Sequence, residues 1–386
     1  MKRNEFRGLL VLFFVFVVVQ VKAQHADVDI SACIGMEKIL FSMKNSTTKD
    51  RVSLMLDSIL ITKPYKIMFE HYNRFWRPNH LPPSVFKRMI LSLQFKGEYS
   101  KGENQRADQM ISKWEKYYSD LSLYQKNLRQ LQETNLDKFI NEGIQYAQSW
   151  LPPEWHIPNF YFPIIPNGGS SAFTINNSQG YDFFQLPRDS SGQIIWNELL
   201  GTISHESHHL GNHISQLEKA SSRDSIAYQF LSMFVGEGTA TKFINNYPGG
   251  KVPSIDGTRK PTIFKSEVKV WWDKYTADEQ NLFNRLETTF EQIYNGTMTK
   301  EDILKEISNY WLSGYTSPVY FVGSELFGAI YTGLGKEKAF ETMRDPRKIF
   351  KYYNDAIKEK PDILSGCYLI PDSIAMHALS IGKNEK

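Results

Sequence analysis

Ile203-Ser204-His205-Glu206-Ser207-His208-His209-Leu210 is the stretch from which the rest of the chain is read. Ile195, Leu199 and Ile203 recur every four residues and run straight into His205, so the spacing predicts a helix that begins near Ile194. Residues four apart on a helix lie about one turn apart on one face. His205 and His209 can therefore direct two imidazoles at one ion, with Glu206 beside them. Two neutral nitrogen donors and a carboxylate base within one helical turn suit hydrolysis at a zinc ion. The competing reading is a polar helix face with solvated histidines. The strongly apolar N-terminal half of the same helix, which reads as a central element, speaks against it. His208 is turned away from this face by roughly a sixth of a turn and reads as a packing or supporting residue.

A catalytic zinc takes three protein ligands and keeps one position for water. The leading candidate for the third is Glu237, in Val235-Gly236-Glu237-Gly238-Thr239-Ala240 on a second predicted helix over 224–245. Its small neighbours would let that helix pack close to the first. The alternative is an incidental charge at a close helix crossing. His213 competes for the role because it continues the face at four residues from His209, but it lies too far along the axis for one ion. It reads as peripheral, near substrate or behind the ligands. Ser215 stands where an extended three-histidine pattern would need its last histidine.

Outward from this centre, residues 34–150 show three- and four-residue apolar spacing, as in Val52, Leu56, Ile59 and Leu60, and read as helical. The stretch from Gln105 to Trp150 carries one long amphipathic pattern, which Pro152-Pro153 ends. Asn159–Ile165, Ser171–Asn176 and Tyr181–Leu186 are aromatic or β-branched and separated by Gly- and Asn-rich turns, Asn-Ser-Gln-Gly at 177–180 among them. They read as short strands. Tyr247 to Pro261 reads as a long loop, and Lys265 to about Lys358 as mostly helical. The fold class is α+β, predominantly helical, with a small sheet ahead of the zinc-binding helix.

Bulk properties exclude several alternatives. In 386 residues, hydrophobic residues make up 41% and aromatic residues 14%, enough to build a large core. The net charge is +3, from 45 basic and 42 acidic residues with no block of one sign, so nothing calls for a nucleic-acid partner. Lys2, Arg3 and Arg7 precede an apolar run from Leu9 to Val19, followed by Val21-Lys22-Ala23. Residues 1–23 read as a cleaved signal peptide, which places the chain outside the cell or in the periplasm, with no transmembrane segment in the mature protein. An uncleaved anchor is one alternative; a lipoprotein is another, since Ile30-Ser31-Ala32-Cys33 looks like a lipobox, but Lys22, Asp27 and Asp29 separate it from the apolar run. Cys33 and Cys367 remain after cleavage, as a disulfide that export would permit or as two buried thiols.

His205-Glu206-x-x-His209 followed by Glu237-Gly238-Thr239-Ala240 resembles the gluzincin branch of zinc metallopeptidases, in which a glutamate on a following helix completes the site. Over residues 155–355 the chain is also similar to a family of secreted bacterial zinc-dependent peptidases, through Tyr320-Phe321-Val322-Gly323 and Gly333-Leu334-Gly335. The resemblance implies a zincin core within 151–386, after a helical region over 24–150, and zinc held by His205, His209 and Glu237. It implies Glu206 as general base and a peptide or protein substrate. It also implies an edge strand, for which Ser170–Asn176 is the candidate, that pairs with the substrate backbone. A tyrosine or histidine commonly supports the oxyanion in such enzymes, and Tyr320 or Tyr315 would fill that place unless each is simply a core aromatic. Two other classes stay open: a secreted peptide- or glycan-binding protein that has kept the metal site, and a zinc hydrolase of non-peptide substrates.

Overall fold

The fold follows from where short capping side chains cut the amphipathic patterns and where aromatic runs refuse to coil. A computed structural model describes residues 25–74, 80–212, 221–257, 266–314 and 316–382. The expected signal peptide, His213 and Tyr315 lie outside the described residues. Among them the chain begins with a strand, β1 (Ala26–Asp29), and then runs through α1 (Ser31–Lys44), α2 (Lys49–Leu60), α3 (Lys63–Tyr72) and α4 (Pro83–Leu91). The long pattern from Gln105 is not one helix but three: α5 (Gln105–Ser119), α6 (Leu121–Glu133) and α7 (Leu136–Gln148). Asp120 and Asn135 make the breaks. Each side chain accepts a hydrogen bond from a backbone N–H of the helix it opens, Leu123 and Lys138 respectively, and such caps start a new helix more readily than they continue an old one.

Next come β2 (Phe160–Ile165), β3 (Ala172–Ile175) and β4 (Ser178–Asp182), then α8 (Trp196–Gly211) and α9 (Arg223–Thr239). The C-terminal part is helical, with α10 (Ser266–Ala277), α11 (Glu279–Tyr294), α12 (Lys300–Glu306), α13 (Pro318–Leu334), α14 (Lys336–Arg344), α15 (Ile349–Glu359) and α16 (Asp372–Ser380). The expected small sheet ahead of the zinc-type helix is there, in the order β1-β2-β4-β3. β1, β2 and β4 are parallel, and β3 returns antiparallel to β4.

Three details of the sheet differ from expectation. The expected strand Tyr181–Leu186 stops at Asp182, whose side chain accepts from the Phe184 N–H and starts a 3-10 turn over Phe183–Gln185. β1 was not foreseen. The hairpin also turns earlier than Asn-Ser-Gln-Gly suggests: Ile175 pairs with Ser178, leaving Asn176-Asn177 as the turn, with Asn176 at φ 49°. A two-residue hairpin favours Asn in that left-handed conformation. Gly180 is then a strand residue, and a β-carbon there would stand 2.2 Å from the Phe173 ring, so glycine is needed for packing and not for turning.

The sheet presents different neighbours on its two faces, because successive strand side chains alternate. Phe173 faces α3, where the His71 ring stacks on it at 4.1 Å between centroids. Thr174 faces α8. Behind α8 lies the helical core, organised on α13. Twelve residues of that helix are buried, from Pro318 to Ile330, which marks an internal helix. Gly238 of α9 crosses Gly323 of α13 so closely that a β-carbon at 238 would lie 2.6 Å from the Gly323 backbone. The glycine after Glu237 thus serves the crossing with α13, and not the approach to α8 that its sequence suggested. Cys33 and Cys367 are both buried and free, and the Cys33 thiol donates to the Ile164 carbonyl at 3.1 Å. No helix among the described residues is long and apolar enough to cross a membrane.

Candidate metal centre

α8 carries the proposed ligands because its apolar side, with Leu199, Ile203 and Leu210 buried, anchors it in the core. The sheet fixes its rotation: buried Gln179 of β4 donates to the Ile203 carbonyl at 3.3 Å and accepts from the Ser207 hydroxyl at 3.0 Å. With the helix so held, His205 and His209 sit on one side, their Nε2 atoms 3.0 Å apart. The end of α9 brings Glu237 to the same point. Its Oε2 lies 3.2 Å from His209 Nε2 and 3.6 Å from His205 Nε2.

These three residues form a group able to hold a metal ion, and the geometry of the donors fits zinc. Bonds of about 2.1 Å in a tetrahedral shell place neighbouring ligand atoms about 3.4 Å apart, and the three separations bracket that value. Glu237 Oε2 is buried and accepts no hydrogen bond of ordinary geometry, as expected of an oxygen set aside for a cation. The electrostatics agree. Burial alone would raise the Glu237 carboxyl, but the His209 and His205 imidazoles outweigh it and hold the group well below the usual carboxylate range. Burial alone would lower His209, and the Glu237 carboxylate reverses that and raises it. The pocket is therefore built around one anionic oxygen facing two nitrogens, and it draws positive charge to that point.

Two supporting contacts were not legible in the sequence. α9 does not end at Thr239 but continues as a π-turn, Ala240–Ile244, and Asn245 follows. The Asn245 Oδ1 lies 2.6 Å from His205 Nδ1. A carbonyl oxygen there accepts the Nδ1 proton, which selects the tautomer that leaves Nε2 free for a metal. The turn is braced from below. The buried Lys242 ammonium donates to the Tyr247 and Val252 carbonyls, both at 3.3 Å. Glu325 of α13 accepts from the backbone N–H groups of Gly250, Lys251 and Val252 at 2.7, 3.1 and 3.3 Å. Asn245→Leu should keep the fold and weaken zinc binding by roughly 10–100-fold, measurable by competition with a chromogenic chelator. Unchanged affinity would remove Asn245 from the site.

The second contact belongs to Glu206. The Thr174 hydroxyl of β3 donates to Glu206 Oε2 at 2.7 Å, so the candidate base is tied to the sheet. β3 lies at the sheet edge, as expected of the candidate substrate-pairing strand. Asp182 N donates to Ser171 O, so by antiparallel alternation the backbone groups of Ala172 and Thr174 face away from β4. One of them is engaged: Arg74 Nη2 donates to the Thr174 carbonyl at 2.9 Å.

His208 is fully buried, with Nε2 3.3 Å from the Trp150 carbonyl, and burial pushes it down to about 3. It is a neutral packing residue, as its helical position suggested. Tyr320 lies half-buried in the first turn of α13, one turn before the Gly323 that crosses Gly238 beside Glu237.

Comparison with known proteins adds one finding. No curated protein and no solved structure matches the chain. Residues 56–362 match the model of a family described as "Putative zinc dependent peptidase (DUF5700)", a span that takes in both metal-type helices and most of the chain around them, and the chain belongs to that zinc-peptidase family.

Proposed function

We propose that this protein is an exported metallopeptidase of gluzincin type, with zinc held by His205, His209 and Glu237 and with Glu206 as general base. The observation that carries the reading is the convergence of the three donor atoms on one point beside Glu206. When bound, zinc would supply Lewis acidity there, polarising a carbonyl oxygen and lowering the pKa of a coordinated water to about 7. The chain's own residues do the rest. Glu206 takes a proton as water oxygen bonds to the peptide carbonyl carbon. It returns that proton to the amine nitrogen as the C–N bond breaks. Asn245 holds His205 in its tautomer. The outward backbone groups of Ala172, with the Thr174 N–H, offer a peptide main chain partners at the edge of β3. Tyr320 is the candidate donor to the oxyanion, and residues 1–23 are the candidate export signal.

The test is a broad peptide library with the purified mature protein, alongside elemental analysis. About one zinc per chain is expected, with cleavage that a chelator abolishes and added zinc restores. Bound zinc without cleavage of any peptide would favour a binding protein or a hydrolase of other substrates. No zinc, even after incubation with the metal, would end the metallopeptidase reading.

A further inference from the structure

A general base must present one defined oxygen, and Glu206 has a free choice of rotamers unless something outside α8 removes it. Its neighbours on the helix are engaged elsewhere: His205 and His209 point at Glu237, and the Thr202 hydroxyl, one turn back, donates to the Glu198 carbonyl. The sheet can remove that choice. Thr174 and Gln179 are directly paired across β3 and β4, and both face α8. Gln179 is locked to α8 at Ile203 and Ser207. That lock sets the height of the helix against the strand pair, so the Thr174 hydroxyl stands at a fixed place opposite Glu206.

We propose that Thr174 is a positioning residue for Glu206: its hydroxyl holds Oε2 and so reserves Oε1 for the proton taken from water. This inference rests on Glu206 being the general base. Three features support it. The hydrogen bond is short, at 2.7 Å, as is usual when the acceptor is a carboxylate. Thr174 is β-branched on a strand, so its χ1 is restricted and its hydroxyl cannot wander. The Thr174 carbonyl is held in turn by Arg74, so the residue is fixed through main chain and side chain alike. Asn176, at the hairpin turn, is tied to Glu70 of α3 at 2.8 Å. The helical N-terminal region thus reaches Glu206 through the strand it braces, in addition to the direct packing of α7 on α8 around Gly143.

The experiment compares Thr174→Val, Thr174→Ser and the parent chain by crystal structure of the zinc-loaded protein, zinc content and steady-state kinetics. Valine keeps the branched shape and removes the donor; serine keeps the donor. In Thr174→Val the Glu206 carboxylate should leave its place while zinc stays at about one per chain. The kcat should fall about ten-fold, as expected for the loss of one hydrogen bond to a charged group, with KM little changed, and Thr174→Ser should restore both carboxylate position and kcat. A Glu206 carboxylate that stays in place in Thr174→Val overturns the proposal, whatever the kinetics. So does a kcat loss that serine does not rescue. If the parent chain cleaves no peptide, the enzymatic reading fails separately, and the crystallographic comparison still decides whether Thr174 positions Glu206.

Discussion

Glu206→Gln should abolish most turnover and leave the metal in place. The expected loss in kcat is roughly 10²–10⁴-fold, the usual worth of a positioned acid–base group, with zinc still at about one per chain. The substitution suits the site because glutamine is nearly isosteric and the Thr174 hydroxyl can still donate, now to the amide oxygen in place of Oε2. The three donors His205, His209 and Glu237 are untouched. What disappears is the capacity to accept a proton and return it. KM for a cleaved peptide should therefore change far less than kcat, since the interaction lost is made in the transition state. Single-turnover rates with zinc-loaded protein are the measurement. Full activity in Glu206→Gln would require the proton to move through another group, and the proposed mechanism would be wrong. Zinc loss in this variant would point instead to a disturbed helix α8, which thermal melting would report.

The parts of the site that can be read from the sequence are those whose geometry is local. His205, Glu206 and His209 share one helical turn, so spacing alone relates them. Glu237 is 28 or more residues further on, and only its Glu-Gly-x-Ala setting singled it out. Gly238 within that setting serves the crossing with Gly323 of α13. Thr174 and Asn245 were out of reach for a physical reason. Each acts at α8 from another element, 32 and 40 residues away from its partner, and neither residue type is distinctive. The π-turn at Ala240–Ile244 also shifts the helical phase by about one residue, so counting at 3.6 residues per turn misplaces Asn245. β1 was hidden because Ala26–Asp29 is only four residues long and gains its partner, β2, from far along the chain. By contrast β2, with all six residues buried, advertised itself by composition.

Loss of zinc is the second large effect, and Glu237 is where it should be greatest. In Glu237→Ala, zinc should fall well below one per chain after dialysis, with an affinity loss beyond the roughly 10–100-fold that an outer-shell change costs. The reason is electrostatic as well as geometric. Glu237 contributes the one anionic donor beside two neutral imidazoles, and it is held ionised despite its burial. Without it, His205 and His209 present two nitrogens in a buried pocket with no countercharge for a divalent ion. The metal-free chain should tolerate the change, because His209 loses the carboxylate that raises it and burial then favours the neutral ring. Glu237→Gln separates shape from charge: it fills the same space and should also lose most of the zinc. In the parent chain, saturating zinc should raise the melting temperature, as any ligand that binds only the folded state must. At free zinc of 100 times Kd that gain is about 2.7 kcal/mol, and it should vanish in both variants. A Glu237→Gln chain that keeps its zinc and its zinc-dependent melting shift would show that another group completes the site, and the assignment of Glu237 as third ligand would fall.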